Sequence, residues 1–242
     1  MHSSYGLEIV ENCERCKLRR GRLFCDLPRP SLNALQQLGF ATACPKGTML
    51  FAQDQAPHDV AVVCAGHVKI YTGYHAGKKV CVGIAGPGTV LGLTAAISGS
   101  PHQVSIEALE PCQLRIVKAD RLLSFLHNDN AACFAAAMCL SKEVQKMNNC
   151  LRLIGLSQPA IQRLVQVLIC WDIHEEDEPQ DRRHLLFPLT HKEFAEIIGA
   201  SRETVTRLFS AFERRHIIHR SGTTLVIKDE RTLRNLASSA AG

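Results

Sequence analysis

Residues 189–227 read LTHKEFAEIIGASRETVTRLFSAFERRHIIHRSGTTLVI. Thr190-His191-Lys192-Glu193 has the spacing of a capping box, in which the threonine and the glutamate satisfy each other's free amides at a helix start. Phe194, Ala195, Ile197 and Ile198 supply an apolar face, and Gly199 supplies a turn. Ser201 is placed to cap a second helix running to Arg215, with Val205, Leu208 and Phe212 directed inward. Arg202, Glu203, Thr206 and Arg207 then share the outward face near its N-terminus. Residues 217–219 and 224–227, joined through Arg220 to Thr223, read as a two-stranded wing. Cap, turn, second cap and wing in this order describe a winged helix-turn-helix.

The chemistry suits DNA. Arginine presents a planar fork that matches guanine O6 and N7, and glutamate accepts from cytosine N4. Arg202, Glu203, Thr206 and Arg207 are therefore candidate base readers. Thr190, Lys192, Ser201, Thr204, Arg214 and Arg215 are candidate phosphate contacts, which fix register without reading sequence.

Upstream, residues 130–156 carry Cys133, Ala137, Leu140, Val144, Met147, Leu151 and Ile154 at alternating spacings of four and three. That is an a/d seam, the pattern of helices pairing side by side, and it predicts a homodimer. Before it, residues 29–126 alternate short β-prone runs with Gly, Pro and Asp turns, after a helix at Pro30 to Leu38. The runs are Val60 to Cys64, Val68 to Tyr71, Val80 to Ile84 and Gln113 to Val117. No charged residue occurs from Val80 to Ile106, a span long enough to cross a bilayer. Its five glycines and two prolines suit tight turns instead, so no membrane association is expected. The fold class is α+β. A β-roll sensor domain (29–126), a dimerisation helix (127–157) and a winged helix-turn-helix domain (158–242) follow an arm (1–28).

Composition agrees with a globular cytoplasmic protein: 242 residues, 46% hydrophobic and 21% charged, with a formal charge of +5. That charge permits a nucleic-acid partner without demanding one. The opening residues, polar and followed by acidic residues and cysteines, are not expected to act as a secretory signal. Eleven cysteines is an odd count, and the core is large enough to need no staples, so free thiols in a reducing compartment are expected.

Nearly the whole chain resembles the Crp/Fnr bacterial transcription regulators, most densely in the stretch quoted above and in its Ser201-Arg202-Glu203-Thr204-Val205 run with Arg207. Gly66-His67-Val68-Lys69-Ile70 and Pro87-Gly88 look like the family's β-roll. The resemblance implies a homodimer on a palindromic operator, acting on RNA polymerase. Arg202 is similar to the reading helix of the cyclic-AMP receptor protein and implies TGTGA-like half-sites.

The cyclic-AMP members hold the nucleotide with a glutamate after a glycine and an Arg-Ser pair about ten residues on. Here Leu93 stands where that carboxylate belongs, and residues 100–104 contain no arginine. A buried phosphate without a cation is costly, so cyclic AMP is not expected as the signal. The spacing Cys13-x2-Cys16-x8-Cys25 resembles instead the cysteine arm of Fnr-type sensors, which bind a [4Fe–4S] cluster through three arm cysteines and one from the β-roll. Oxygen, nitric oxide or redox state would then be the signal. Cys112 is the expected fourth ligand, although it lies three residues before Arg115, where Fnr carries its cysteine. A shift of three along a strand reverses the face. Cys64 and Cys44 are the other options for that ligand. A thiol or zinc switch at the arm, or no cofactor at all, are the alternatives to a cluster, and haem on His67, His75 or His102 is a remoter one. A metal-dependent β-barrel enzyme would need converging His and carboxylate ligands. His58, His67, His75 and His102 are dispersed, so no enzyme is expected.

Overall fold

In the computed structural model, the described residues are 5–7, 9–16, 19–74, 78–155, 159–170, 184–186, 189–221 and 224–238. The chain divides into two compact units, Met1–Lys78 with Gly83–Gln145, and Lys79–Val82 with Lys146–Gly242.

In the first unit, two short 3-10 turns, Cys13–Arg15 and Leu23–Asp26, precede helix α1 (Arg29–Leu38). Pro30 sits in the first turn of α1, where its missing N–H costs nothing. The strands are β1 (Gly39–Cys44), β2 (Met49–Phe51), β3 (Asp59–Ala65), β4 (Val68–Tyr74), β5 (Lys78–Ala85), β6 (Val90–Leu91), β7 (Ser105–Ala108) and β8 (Cys112–Lys118). They form two four-stranded sheets in the orders β1-β8-β3-β6 and β2-β7-β4-β5. The recorded pairings within them are antiparallel, β1 with β8, β3 with β8 and with β6, and β7 with β2 and with β4. Helices α2 (Leu93–Ser98), α3 (Ala119–Asn128) and α4 (Asn130–Gly155) complete the order. The four runs expected as strands all lie in β3, β4, β5 and β8. The uncharged stretch holds β5, β6, α2 and β7, and among the described residues no helix is long and apolar enough to cross a membrane.

Strand alternation divides this unit's apolar residues between two cores. Ala61, Val63, Cys112 and Leu114 face an inner core with Cys44, Leu91 and Ile106. Val60 and Val117 join an outer core made with α1, α3 and the start of α4. The arm contributes to that second core: Phe24 (1% exposed) and Leu27 (3%) pack there with Ala132, Ala135 and Ala136. Residues 1–28 show little hydrophobic periodicity, yet Phe24 and Leu27 near their C-terminal end are core. Gly66 explains one sharp turn, since a Cβ at its φ of +81° would meet Pro111 O at 2.4 Å and Cys112 Sγ at 2.8 Å.

In the second unit, α5 (Ala160–Cys170), β9 (His184–Leu186), α6 (His191–Ile198), α7 (Arg202–Arg214), β10 (Ile218–Ser221), β11 (Thr224–Ile227) and α8 (Glu230–Ser238) follow one another. The wing strands pair antiparallel, Ile218 opposite Ile227 and His219 opposite Val226, and β9 adds a third strand to β11.

Along α4, the expected seam is divided. Cys133, Ala137, Val144 and Met147 are exposed, whereas Leu140 is half-buried against the outer core of its own unit. Phe134 (69% exposed) and Met138 (38%) extend the exposed apolar face and were not in the seam as read from the sequence. The side chains of Leu151 and Ile154 lie outside the described residues.

Candidate nucleic-acid interface and cysteine site

The helix-turn-helix forms as its sequence dictates. Glu193 N–H donates to Thr190 Oγ1 at 3.2 Å, and Thr190 N–H donates to Glu193 Oε2 at 2.8 Å, so both halves of the capping box are made. Ser201 Oγ accepts from Thr204 N–H at 3.1 Å at the start of α7. Val205, Phe209 and Phe212 are fully buried, and Phe194 meets Phe209 edge-on with centroids 5.0 Å apart. Phe209 therefore takes the inward place expected of Leu208, which is half-buried.

All four candidate base readers, Arg202, Glu203, Thr206 and Arg207, are exposed on one face of the first two turns of α7. Lys192, Arg214 and Arg215 are exposed as well. Thr190, Ser201 and Thr204 are spent in the caps, Ser201 and Thr204 also pairing through their hydroxyls at 3.0 Å. Glu203 sits at the N-terminus of α7, where its own backbone amide and the Ser201 hydroxyl hold its carboxyl below the usual range.

Two residues of this interface escape sequence reasoning. Arg163 of α5 donates from Nε to Ile198 O at 2.6 Å and from Nη2 to Gly199 O at 3.4 Å, gripping the turn between α6 and α7. His191 Nδ1 pairs with Thr206 Oγ1 at 2.8 Å, its Nε2 contacts Arg220 of the wing, and its ring stacks on Phe209 with centroids 5.3 Å apart. Burial, then the Arg220 and Arg202 cations, push the His191 imidazole below its ordinary value. Helix α6, helix α7 and the wing are thus joined through one neutral ring.

The cysteines of the first unit fall into two groups. Cys112 is fully buried on the inner face of β8, directly opposite Cys44 of β1. Its thiol donates to His67 O and Glu110 O, both at 3.3 Å, and burial followed by Cys44 and Glu110 pushes it up to about 12. Cys112 therefore does not join the arm cysteines, because β8 turns it into the inner core. Gln113 and Arg115 face the opposite way, toward the arm. Gln113 makes a two-way pair with the Val10 backbone at 2.9 and 2.8 Å. Arg115, 4% exposed, donates to Glu11 O at 2.8 Å and Gln36 O at 3.1 Å. Cys13 N–H donates to Gln36 Oε1 at 2.7 Å.

Cys25 lies among three other thiols. Burial, then Cys64, Cys13 and Cys16, push it up to about 12 against a smaller pull from Arg22. Burial likewise pushes Cys64 up to about 11, with the Arg115 cation opposing and Cys13 and Cys16 adding to the rise. Neither is a ready thiolate by itself, which argues against a simple reactive-thiol switch at these two. A donor set of four sulfurs fits a thiophilic metal or an iron–sulfur cluster, which supplies the positive charge that such thiolates need. Among the described residues, no three His, Cys, Asp or Glu side chains stand close enough to grip one metal ion as placed. The sulfurs share one neighbourhood, so closing on a ligand requires a shift of the arm. Of the histidines considered for haem, His67 is paired with Glu110 at 2.5 Å and His102 stacks on Phe51; His75 lies outside the described residues.

Two domain families match the chain: the cyclic nucleotide-binding domain at residues 42–129 and the Crp-like helix-turn-helix domain at residues 162–236. The chain belongs to the Crp/Fnr family. It is 25% identical over 227 residues to the nitrogen fixation regulation protein FixK of Azorhizobium caulinodans, covering 92% of this chain and 88% of that one. It is 23% identical over 217 residues to a CRP-like cAMP-activated global transcriptional regulator of Mycobacterium tuberculosis, covering 89% and 96%. The solved structure of FixK2 from Bradyrhizobium japonicum superposes with a TM-score of 0.73 at 22% identity, over 84% of this chain and 99% of the other. The Crp/Fnr chain described here is a DNA-binding transcription regulator of a family that dimerises.

Proposed function

We propose that this Crp/Fnr regulator acts in the cytoplasm as a homodimer on palindromic DNA with TGTGA-like half-sites, engaging RNA polymerase. Its signal would be oxygen, nitric oxide or redox state, read through a cluster held by the arm cysteines Cys13, Cys16 and Cys25. One observation carries the DNA reading: Arg202, Glu203, Thr206 and Arg207 are exposed together at the start of a helix that is capped, gripped by Arg163 and backed by a wing. Two such helices spaced about 34–36 Å apart meet successive major grooves. The exposed apolar face of α4 at Phe134, Ala137, Met138 and Val144 supports pairing of two copies.

The same fold argues against cyclic AMP. Leu93 is 3% exposed and packs into the outer core, so the position that would hold a nucleotide-binding carboxylate is occupied by hydrophobic packing. The arm is the better sensor because it brings its thiols together against the β-domain. A bound [4Fe–4S] cluster supplies chemistry that oxygen and nitric oxide disrupt. The arm's own residues hold it in place: Val10 and Glu11 dock on β8, and Phe24 and Leu27 enter the core beside α4.

The test is selection of DNA from a randomised pool by protein purified without oxygen, with iron and sulfide measured on the same sample. Enrichment of a two-fold site whose binding is lost in air together with the cluster is expected. Failure to enrich any symmetric site refutes the DNA reading. Enrichment that air leaves unchanged, by protein without iron or sulfide, refutes the sensing reading.

A further inference from the structure

Strand β3 is interrupted at one residue. Its pairing with β8 runs Val62 to Arg115 and Val63 to Leu114, then jumps to Ala65 opposite Gln113. Cys64 is the extra residue of that bulge. Bulges bend a strand and re-aim the side chain they release, and they gather beside functional sites. Val63 points into the inner core, whereas Cys64 is not part of that core and lies within electrostatic reach of Arg115, Cys13 and Cys16.

The arm brackets this position from two sides. On the β8 side, Gln113 and Arg115 hold the backbone of Val10 and Glu11, two to three residues before Cys13. On the other side, Gly88 N–H donates to Val63 O at 2.8 Å, tying the Gly88 turn to the residue just before Cys64. The stem of Arg22 lies on Gly88 so closely that a Cβ there would meet it at 2.7–2.8 Å. Arg22 in turn begins the 3-10 turn that carries Cys25. Cys13 and Cys16 thus follow one anchor, Cys25 follows the other, and Cys64 stands between them.

A second, independent observation points to a ligand at this place. Arg115 is almost wholly buried, yet among the described residues its Nε has no hydrogen-bond partner, and its other two bonds go to neutral carbonyls. A buried guanidinium without an anion is costly, and an orphaned donor adds to the cost. Thiolates gathered around Cys64 are the anions that would settle both.

We infer that Cys64 is the fourth thiolate of the arm site, closing a Cys13–Cys16–Cys25–Cys64 set, and that Arg115 is a positioning residue that supplies its counter-charge. The inference rests on the proposal that the arm binds a metal cofactor, and it names ligands for that same site. It assigns Cys112 no part in the set.

The experiment is anaerobic reconstitution of the full chain with iron and sulfide, and separately with cobalt(II) as a zinc probe. Wild type, C64S, C112S and R115M are compared for bound metal, visible absorption and electron paramagnetic resonance. C64S should lose the intact cluster or hold only an iron-deficient one, whereas C112S should match the wild type. R115M should hold metal about 10–100-fold more weakly in competition with a chelator, the usual consequence of removing a supporting contact. Melting of the metal-free variants shows whether each still folds; if C64S does not, C64A with the same readouts takes its place. A wild-type cluster retained unchanged in C64S, or lost in C112S, overturns the assignment while leaving the sensing proposal standing. Four-thiolate cobalt bands that weaken in C64S, in a protein that takes no iron, uphold Cys64 and overturn the cluster. A wild type that binds neither metal overturns both.

Discussion

Replacing Val144 with Asp should turn the protein monomeric. Val144 is 55% exposed on α4, in line with the exposed Phe134, Ala137 and Met138. Full burial of a valine is worth roughly 1.5–3 kcal/mol, so covering the half that remains open contributes about 1 kcal/mol from each protomer. The substitution removes that term twice. It also places an unpaired carboxylate in the interface on each side, at a cost of several kcal/mol per ion. A combined loss of at least about 4 kcal/mol is expected, equivalent to about a thousandfold in the dimer dissociation constant. Because Val144 is exposed, the fold of its own unit should change by less than about 0.5 kcal/mol. Light scattering coupled to size exclusion reads the mass, and a thermal melt checks the fold. Lys142→Ala, an exposed change on the same helix, serves as the control. A V144D protein that remains dimeric and folded would show that this face does not carry the contact.

Arg207→Ala should weaken binding to the preferred site by roughly 1–3 kcal/mol and relax selection at one base, whereas Lys192→Ala should weaken all sites alike and lower the salt slope by about one. Competition titrations at several salt concentrations separate the two, and an R207A protein with unchanged site preference would remove it from the reading face. Thr190→Ala removes the hydroxyl that accepts from Glu193 N–H, leaving the backbone N–H of residue 190 bonded to Glu193 Oε2, and should cost the second unit about 1 kcal/mol, within the usual range of roughly 0.5–2, read as a lower denaturant midpoint. His191 is held below its ordinary value in the fold, so the unfolded chain binds more protons as the pH falls through the window beneath 6.5. Stability contributed here is complete above that value and is lost on acidification, with DNA binding following. Substituting His191 with Gln should flatten that part of the profile; an unchanged acid limb would place the titration elsewhere.

The helix-turn-helix was legible because its signals are local. A threonine and a glutamate three apart, a glycine, and a serine before an Arg-Glu pair each specify a backbone state within one turn. The same locality made the four strand runs readable. What could not be read depends on parity and on partners distant in the chain. Cys112 and Cys64 both sit on strands of one sheet, but alternation sends Cys112 inward, and a one-residue bulge decides the setting of Cys64. No pattern of spacing announces that bulge. Phe209 and Leu208 are adjacent, and a small rotation of α7 decides which is buried. Leu140 fits the seam by spacing, yet α4 has to cover its own core as well as a partner, and Leu140 is drawn to the former. Arg163 contacts a turn 35 residues away, which no local window contains.

The arm shows most clearly what pattern reading misses, and it bears on how a signal would leave the cysteine site. Phe24 precedes Cys25 directly and is 1% exposed in a core that it shares with Ala132, Ala135 and Ala136 of α4. A shift of Cys25 toward a ligand therefore drags a buried ring across the surface on which the start of α4 rests. Tightly packed interiors transmit such displacements rather than absorb them. Phe24→Leu stays apolar and fills part of the ring's space, so it should cost clearly less than the roughly 3–5 kcal/mol of Phe24→Ala and leave the unit folded. In F24L, amide hydrogen exchange over residues 131–140 should quicken, because opening of α4 there no longer has to displace a fully fitted ring. Leu122→Met, a comparable change in the same core but outside the arm, should affect α3 more than α4. Exchange in α4 that is indifferent to Phe24, while F24L still lowers the melting temperature, would mean that the arm stabilises the core without bearing on the helix. The route from cysteines to dimer face would then have to run through the β8 anchors of Val10 and Glu11 instead.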